Sequence, residues 1–174
     1  SLAPATPGPR LGGGALLLGW TQRLRTPGLP AFIALICAYK FGDAMASSLV
    51  GPFMHDAGLR KEEIAVVKGT IGSIMGLAGA AAGGWMAWFL GRRPALIACG
   101  LLQTLSLLAY LACALEPGNK TLIYAASTVE HLCGGMATVA LFTLMMDASD
   151  PDHAGTDYTL LACAVVLGGG LAGG

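Results

Sequence analysis

The chain has 174 residues, a formal net charge of zero, 55% hydrophobic residues and 11% charged residues. Soluble domains carry about 25% charged residues, so this composition is too poor in charge to cover a water-facing surface. A net charge of zero argues against nucleic acid as a partner. The apolar residues fall in runs long enough to cross a bilayer, which takes about 20 residues per helix. The composition therefore predicts an all-α membrane protein.

The amino-terminal 29 residues precede the first apolar run. Residues 1–14 are rich in Pro and Gly and predict a flexible linker. Residues 15–29 include Trp20, Arg23 and Arg25, which suit either a short helix lying in the membrane interface or an unstructured lead-in. The chain begins with Ser1 and ends in a glycine-rich part of an apolar run. We therefore expect it to be truncated at both ends.

Five membrane spans follow in chain order, at residues 30–54, 64–90, 94–115, 121–146 and 156–174. The Lys and Arg residues that flank the spans are unevenly divided between the two sides: Arg10, Arg23, Arg25, Arg92 and Arg93 lie on one side, and Arg60, Lys61 and Lys120 on the other. Cytoplasmic loops carry the excess of Lys and Arg. This asymmetry predicts a cytoplasmic amino end and a cytoplasmic turn at Gly91, Arg92 and Arg93.

Two charged residues lie near the middle of the first span. Lys40 and Asp43 are three residues apart and share one helical face. Each costs about 2.5–3.5 kcal/mol at the centre of a membrane helix. They either neutralise each other or a neighbouring helix to fix packing, or line a wet cavity where they bind substrate or carry a proton. We favour the second interpretation because intramembrane charges usually mark functional sites.

Three further ionisable residues lie in later spans. Glu130 is about a third of the way along the fourth span, where loss of hydration makes a carboxylate a candidate proton carrier. Its neighbour His131 reads more simply as a hydrogen-bonding contact between helices than as a functional group. Asp157 begins the fifth span, where the helix dipole favours an acidic residue without any function. All three remain candidates for a substrate or proton pathway.

Small residues spaced one helical turn apart predict close helix packing. They are Gly72, Gly76, Gly79 and Gly83 in the second span, together with Gly134 and Gly135 in the fourth. The five cysteines lie inside apolar runs and read as small apolar residues rather than as disulfides or metal ligands. No motif for a nucleophile, a metal triad or a nucleotide is present, so we expect neither enzyme activity nor a cofactor.

Five sequence blocks, in order and in register, resemble the AmpG-type muropeptide permeases, a branch of the major facilitator superfamily. They are YKFGDAMASSLVGPF, GLRKEEIAVVKGTIG, GRRPALIACGLLQTLS, VEHLCGGMATVALFTLMM and AGTDYTLLA. The residues that match the family's blocks are Tyr39, Lys40, Gly42, Asp43, Glu130, Leu132, Cys133, Gly134, Gly135 and Met136. The chain departs from the family pattern at Trp88, His131, Asp157 and Gly169.

The resemblance implies five helices of a twelve-helix fold, corresponding to helices seven to eleven of the carboxyl-terminal half. It also implies a multi-pass protein of the bacterial inner membrane that imports GlcNAc-anhydro-MurNAc and its peptides with protons during peptidoglycan recycling. The turn at Gly91, Arg92 and Arg93 corresponds to a cytoplasmic gate loop. The implied partners are the muropeptide, protons, membrane lipid and the missing amino-terminal half of the transporter.

Three alternatives stay open beside this interpretation. The protein could transport another solute, such as a sugar, a drug or a coenzyme A ester. It could be a membrane-embedded enzyme acting on lipid-linked sugars, although the lack of catalytic motifs counts against that. It could also be a non-transporting receptor or a decayed gene fragment, an alternative that the Pro/Gly-rich start, the Gly-rich end and the four departures keep open. Five helices of such a fold cannot form a two-sided pathway alone, so we expect this chain to transport only when it assembles with its missing half.

Overall fold

The computed structural model describes residues 28–116, 118–151 and 154–173. Apart from Gly28 and Leu29, the linker and interfacial helix predicted at residues 1–29 lie outside the described residues. Five long helices form the described part: α1 (Leu29–Asp56), α2 (Lys61–Leu90), α3 (Arg92–Leu115), α4 (Lys120–Ala148) and α5 (Ala154–Gly173). All five are long and apolar enough to cross a membrane. The prediction of an all-α membrane protein with five spans is confirmed.

The helix ends differ from the predicted spans by a few residues, and one difference changes the description of a site. Gly91 alone joins α2 to α3, with a φ of 88° that other residues rarely adopt. Arg92 and Arg93 belong to the first turn of α3. The predicted turn of three residues is therefore wrong: it is one glycine followed at once by two helical arginines.

Helix α2 is regular except near its start. Residues Lys61–Ala65 are α-helical, Val66–Ile71 form a π-helical segment, and Gly72–Leu90 continue as α-helix. A π-helical turn holds one more residue than an α-helical turn, so it rotates the faces of the helix before and after it. Such segments are frequent at functional sites, and this one contains Lys68.

Helix α4 is the centre of the bundle and packs on both α2 and α3. Its buried side includes Ile123, Cys133, Ala137 and Leu141, each at most 7% exposed. The mix of small and large side chains lets α4 approach two neighbours along most of its length. Two ion pairs tie its ends to the same neighbours, Lys120 to Glu63 of α2 and Asp147 to Arg92 of α3.

Glycines allow the close approach of α2 and α4. A Cβ atom added at Gly79 would collide with the backbone of Leu132, and one at Gly83 with the backbone of Met136. From the other side, a Cβ at Gly135 would collide with the backbone carbonyl of Gly76. The two backbones are therefore in direct contact, which is how membrane helices gain packing energy when lipid removes the hydrophobic driving force.

Large apolar side chains cover the outside of the helices. Leu77 is 76% exposed, Trp88 is 80% exposed and Leu171 is 76% exposed. A water-soluble protein rarely leaves such a continuous apolar surface uncovered, so lipid or further helices are its natural environment. By internal contacts the chain divides into a unit that ends at Leu35 and a unit from Ile36 to Gly174. The charged residues of the five helices all lie within the second unit.

Candidate functional site

The two charged residues of α1 form an ion pair with each other. The Nζ atom of Lys40 lies 2.6 Å from Oδ2 of Asp43, one turn further along the same helix. Their side chains are 17% and 24% exposed, so both groups are largely removed from solvent. A pair this close satisfies each charge locally and lowers the cost of placing the helix in a membrane.

The second group of ionisable residues lies on α4. Oε2 of Glu130 is 2.9 Å from Nδ1 of His131, and Glu130 is only 8% exposed. The same nitrogen is 2.8 Å from the backbone carbonyl oxygen of Ser127. The Ser127 hydroxyl is a third neighbour at 3.3 Å, and because the shortest contact of Nδ1 is to a carbonyl oxygen, which can only accept, we assign the proton to Nδ1. The N–H of the imidazole then donates to the Ser127 carbonyl oxygen, and the ring holds the buried Glu130 carboxylate at ion-pair distance.

The packing of α2 against α4 fixes the position of the His131 ring. A Cβ atom at Gly72 would lie 2.5 Å from Cδ2 and 2.6 Å from Nε2 of that ring. The imidazole occupies the space that a Cβ atom at position 72 would need, so any residue larger than glycine there would displace the ring. This contact accounts in physical terms for a histidine at a position where the resemblance implies asparagine.

Asp157 has a different environment from the other candidates. It is 6% exposed, and its Oδ2 accepts a hydrogen bond of 3.0 Å from the backbone N–H of Asp150. The bond joins the first turn of α5 to the connection from α4. This geometry holds the connection in place, and it matches the structural interpretation of Asp157 as a residue at a helix start.

The structure keeps the candidate groups apart. Among the described residues, no hydrogen bond or ion pair joins the Lys40–Asp43 pair to the Glu130–His131 pair. The described grooves do not contain them either. One groove of about 330 Å³ between α1 and α3 is apolar, with Leu49, Phe53 and Tyr110 among its lining residues. Among the described residues, the candidate groups therefore form two charged pairs, one on α1 and one on α4, with no hydrogen bond or ion pair between them.

The chain is similar to proteins of known name over most of its length. An anhydromuropeptide permease of Escherichia coli (strain K12) is 33% identical over 137 residues, which is 78% of this chain and 28% of that protein. A putative transporter AmpG 4 of Rickettsia felis is 30% identical over 129 residues, 74% of this chain and 31% of that protein. An uncharacterized protein of Haemophilus influenzae is 28% identical over 144 residues. No family model matches the chain.

This chain is related to the AmpG-type permeases. It spans about a third of the length of the curated relatives that it matches. The AmpG-type resemblance and the five apolar helices together establish a multi-pass membrane protein.

Three polar residues of this AmpG-type chain were not among the predicted site residues. Gln103 of α3 is buried and Tyr110 is half-buried, and neither Gln103 Oε1 nor the Tyr110 hydroxyl has a hydrogen-bond partner among the described residues. Lys68 lies in the π-helical segment of α2 and donates to the carbonyl oxygen of Ser47 at 3.2 Å. In the sequence Lys68 resembles any lysine near a helix end. Its contact with the Ser47 carbonyl of α1 is visible only in the structure.

The sequence contained a usable signal for α3 but none for Lys68. Gln103 and Tyr110 are seven residues apart in an apolar helix, a spacing that places them on one face. The structure turns that face towards α4, where a Cβ atom at Gly134 would lie 3.5 Å from the Gln103 amide. A π-helical segment has no comparable sequence signature, so the direction of Lys68 could not be predicted.

Proposed function

We propose that the full-length protein to which this chain belongs imports cell-wall muropeptides, GlcNAc-anhydro-MurNAc and its peptides, across the bacterial inner membrane. The buried Glu130–His131 pair carries the proposal, because a transporter driven by protons needs a membrane-embedded group that can bind and release one. The names of the relatives support the choice of cargo. Because those relatives are named as permeases and transporters, we propose that the protein is not an enzyme and takes no cofactor.

In this proposal Glu130 is the proton-carrying residue. Glu130 is 8% exposed and its Oε2 lies 2.9 Å from Nδ1 of His131, so the carboxylate lies within the span beside a second ionisable group. The transported proton would be bound at the Glu130 carboxylate, and His131, whose Nδ1 lies beside Oε2, would position that carboxylate.

Lys40 and Asp43 form a second part of the proposed pathway. Their mutual contact of 2.6 Å keeps both charges neutralised in the state described here. A substrate carboxylate could replace Asp43 beside the ammonium, and a substrate amine could replace Lys40 beside the carboxylate. An apolar substrate could replace neither, so the pair favours a polar cargo. Asp157, which is hydrogen-bonded to the start of the α4–α5 connection, completes the predicted set and acts on helix position.

The proposed transport cycle is alternating access between two halves of the protein. We propose that the domain 30–174 supplies helices seven to eleven of a twelve-helix major facilitator fold, with residues 1–29 as a cytoplasmic linker and interfacial helix. The exposed apolar faces of the five helices would contact lipid and the other half. Gly91, Arg92 and Arg93 would lie at the cytoplasmic gate, where Arg92 is paired with Asp147.

A transporter of another solute is the second candidate, and His131 is the observation that favours it. The resemblance implies asparagine at this position, and histidine changes the charge and shape available next to Glu130. Uptake of radiolabelled GlcNAc-anhydro-MurNAc by cells producing the full-length protein tests the choice of cargo. Competition by unlabelled muropeptide but not by an unrelated disaccharide is expected, and equal competition by both would reject the muropeptide assignment.

A further inference from the structure

Lys68 makes no ion pair among the described residues, unlike two other lysines of these helices. Lys40 is paired with Asp43 at 2.6 Å, and Lys120 is paired with Glu63 at 3.0 Å. Among the described residues, no carboxylate lies within ion-pair distance of the Lys68 ammonium. Lys68 is nevertheless partly buried in a helix that crosses the membrane. A partly buried ammonium within a membrane span is stabilised by an anionic partner, which the described residues do not supply for Lys68.

The structure holds the Lys68 ammonium in one place without neutralising it. Its Nζ atom donates to the backbone carbonyl oxygen of Ser47 on α1 at 3.2 Å, which uses one of the three N–H groups. A Cβ atom at Gly51, one turn further along α1, would lie 3.9 Å from Nζ. The small residue leaves space beside the ammonium, so two N–H groups are available to a ligand.

Lys68 lies in the π-helical segment of α2, four residues before Gly72. The His131 ring of α4 packs against Gly72. Glu130, the neighbour of His131 in the chain, already has that ring as its partner at 2.9 Å. Among the described residues, the Lys68 ammonium is therefore left without a carboxylate partner.

We propose that Lys68 binds a carboxylate of the transported solute. The inference rests on the proposed transport function and adds the group that would recognise the anionic part of the cargo. A carboxylate would accept from the two remaining N–H groups of the ammonium, with the Ser47 carbonyl holding the third. This assignment differs from the expectation for Lys40, whose charge is already matched by Asp43.

The test compares two cargoes in proteoliposomes that contain the full-length protein. One is the anhydromuropeptide with a free peptide carboxylate, and the other is the same compound with its carboxylates converted to amides. The wild-type protein should take up the carboxylate form with a KM about tenfold lower, the effect of one charge-assisted hydrogen-bonded contact. Lys68→Met should raise the KM for the carboxylate form to that of the amide and leave uptake of the amide unchanged.

Three controls make the outcome specific. Lys68→Arg keeps a cation and should keep the preference for the carboxylate, whereas Lys61→Met removes an exposed lysine at the start of the same helix and should change nothing. Unchanged uptake of the amide by Lys68→Met shows that the variant is folded. If Lys68→Met takes up neither compound, Lys68→Arg decides: a retained preference supports the proposal, and a lost one overturns it.

Two results would contradict the proposal in distinguishable ways. If Lys68→Met prefers the carboxylate as strongly as the wild type does, the assignment of Lys68 is wrong and the transport function stands. If the folded wild-type protein takes up neither compound, the proposed function is wrong and the assignment of Lys68 falls with it.

Discussion

Oε2 of Glu130 lies 2.9 Å from Nδ1 of His131, its neighbour in the chain. Adjacent residues on a helix point about 100° apart, so their side chains meet only when one of them bends back. The bend is possible here because Gly72 of α2 leaves room for the imidazole. The buried carboxylate of Glu130, the His131 ring and Gly72 are therefore in contact across α2 and α4. The placement of the carboxylate depends on the ring, and the placement of the ring depends on the glycine.

Replacement of Glu130 by Gln should uncouple transport from the proton gradient. The amide keeps the shape of the side chain but cannot carry a proton at this position, so accumulation driven by the gradient should stop. Exchange of labelled for unlabelled cargo at equal pH should continue, since it needs no net proton movement. Glu62→Gln, an exposed residue of α2, is the matched control and should behave as the wild type. Full accumulation by Glu130→Gln would remove Glu130 from the proton pathway.

The Lys40–Asp43 pair should be strongly coupled in stability. Lys40→Met alone leaves the Asp43 carboxylate unpaired in a largely buried position, and Asp43→Asn alone leaves the ammonium unpaired. Each single variant should lower the melting temperature of the purified full-length protein, and the double variant should recover most of the loss. A thermal-unfolding double-mutant cycle should give a coupling of about 1–3 kcal/mol. Additive effects of the two substitutions would mean that the contact contributes no stability.

The sequence predicts the helices well and the contacts between them poorly. Spans such as α3 follow from apolar runs and from breakers such as Gly91, because length and composition alone decide what crosses a bilayer. Which faces meet depends on backbone approach, so glycine spacing could indicate close packing in α2 without identifying Leu132 as the partner of Gly79. The contacts among the candidate site residues likewise depend on which helix faces meet, so the sequence does not predict them.

The chemistry of the individual residues was more predictable than their arrangement. The spacing of Lys40 and Asp43 was enough to predict a shared face, and the structure pairs them. The spacing of Glu130 and His131 gave no such prediction, because neighbours on an ideal helix diverge. Lys68 could not be recognised at all, since its direction depends on a π-helical segment that no pattern of residues predicts.

The contact between Gly79 and Leu132 should not tolerate even one added methyl group. Gly79→Ala would place Cβ against a backbone carbonyl, which cannot move aside as a side chain can. We expect a loss of about 1–3 kcal/mol, the usual cost of overpacking, measured by thermal unfolding in detergent. Gly69→Ala in the same helix is the control because a Cβ there meets nothing within 4 Å. Equal stability of the two variants would show that α2 and α4 are not in close contact in the protein.

Helices α3 and α4 should move together during transport. Arg92 and Asp147 join the start of α3 to the end of α4, and both helices belong to one packed bundle. Cysteines at these two positions joined by a reducible cross-linker long enough to replace the Arg92 and Asp147 side chains should leave most of the muropeptide uptake intact, because alternating access moves one half against the other. Uptake before and after reduction of the cross-link measures this. Loss of uptake that reduction restores would show instead that the gate opens between α3 and α4.

The most direct test of proton-coupled muropeptide import uses proteoliposomes that contain the full-length protein and an imposed pH gradient. The account predicts that radiolabelled anhydromuropeptide accumulates above the external concentration when protons flow in the same direction, and only equilibrates when the gradient is collapsed. It also predicts that the cargo carries protons with it when added without a gradient. Accumulation that does not respond to the gradient would contradict the proposed coupling, and no uptake by a folded protein would contradict the proposed function.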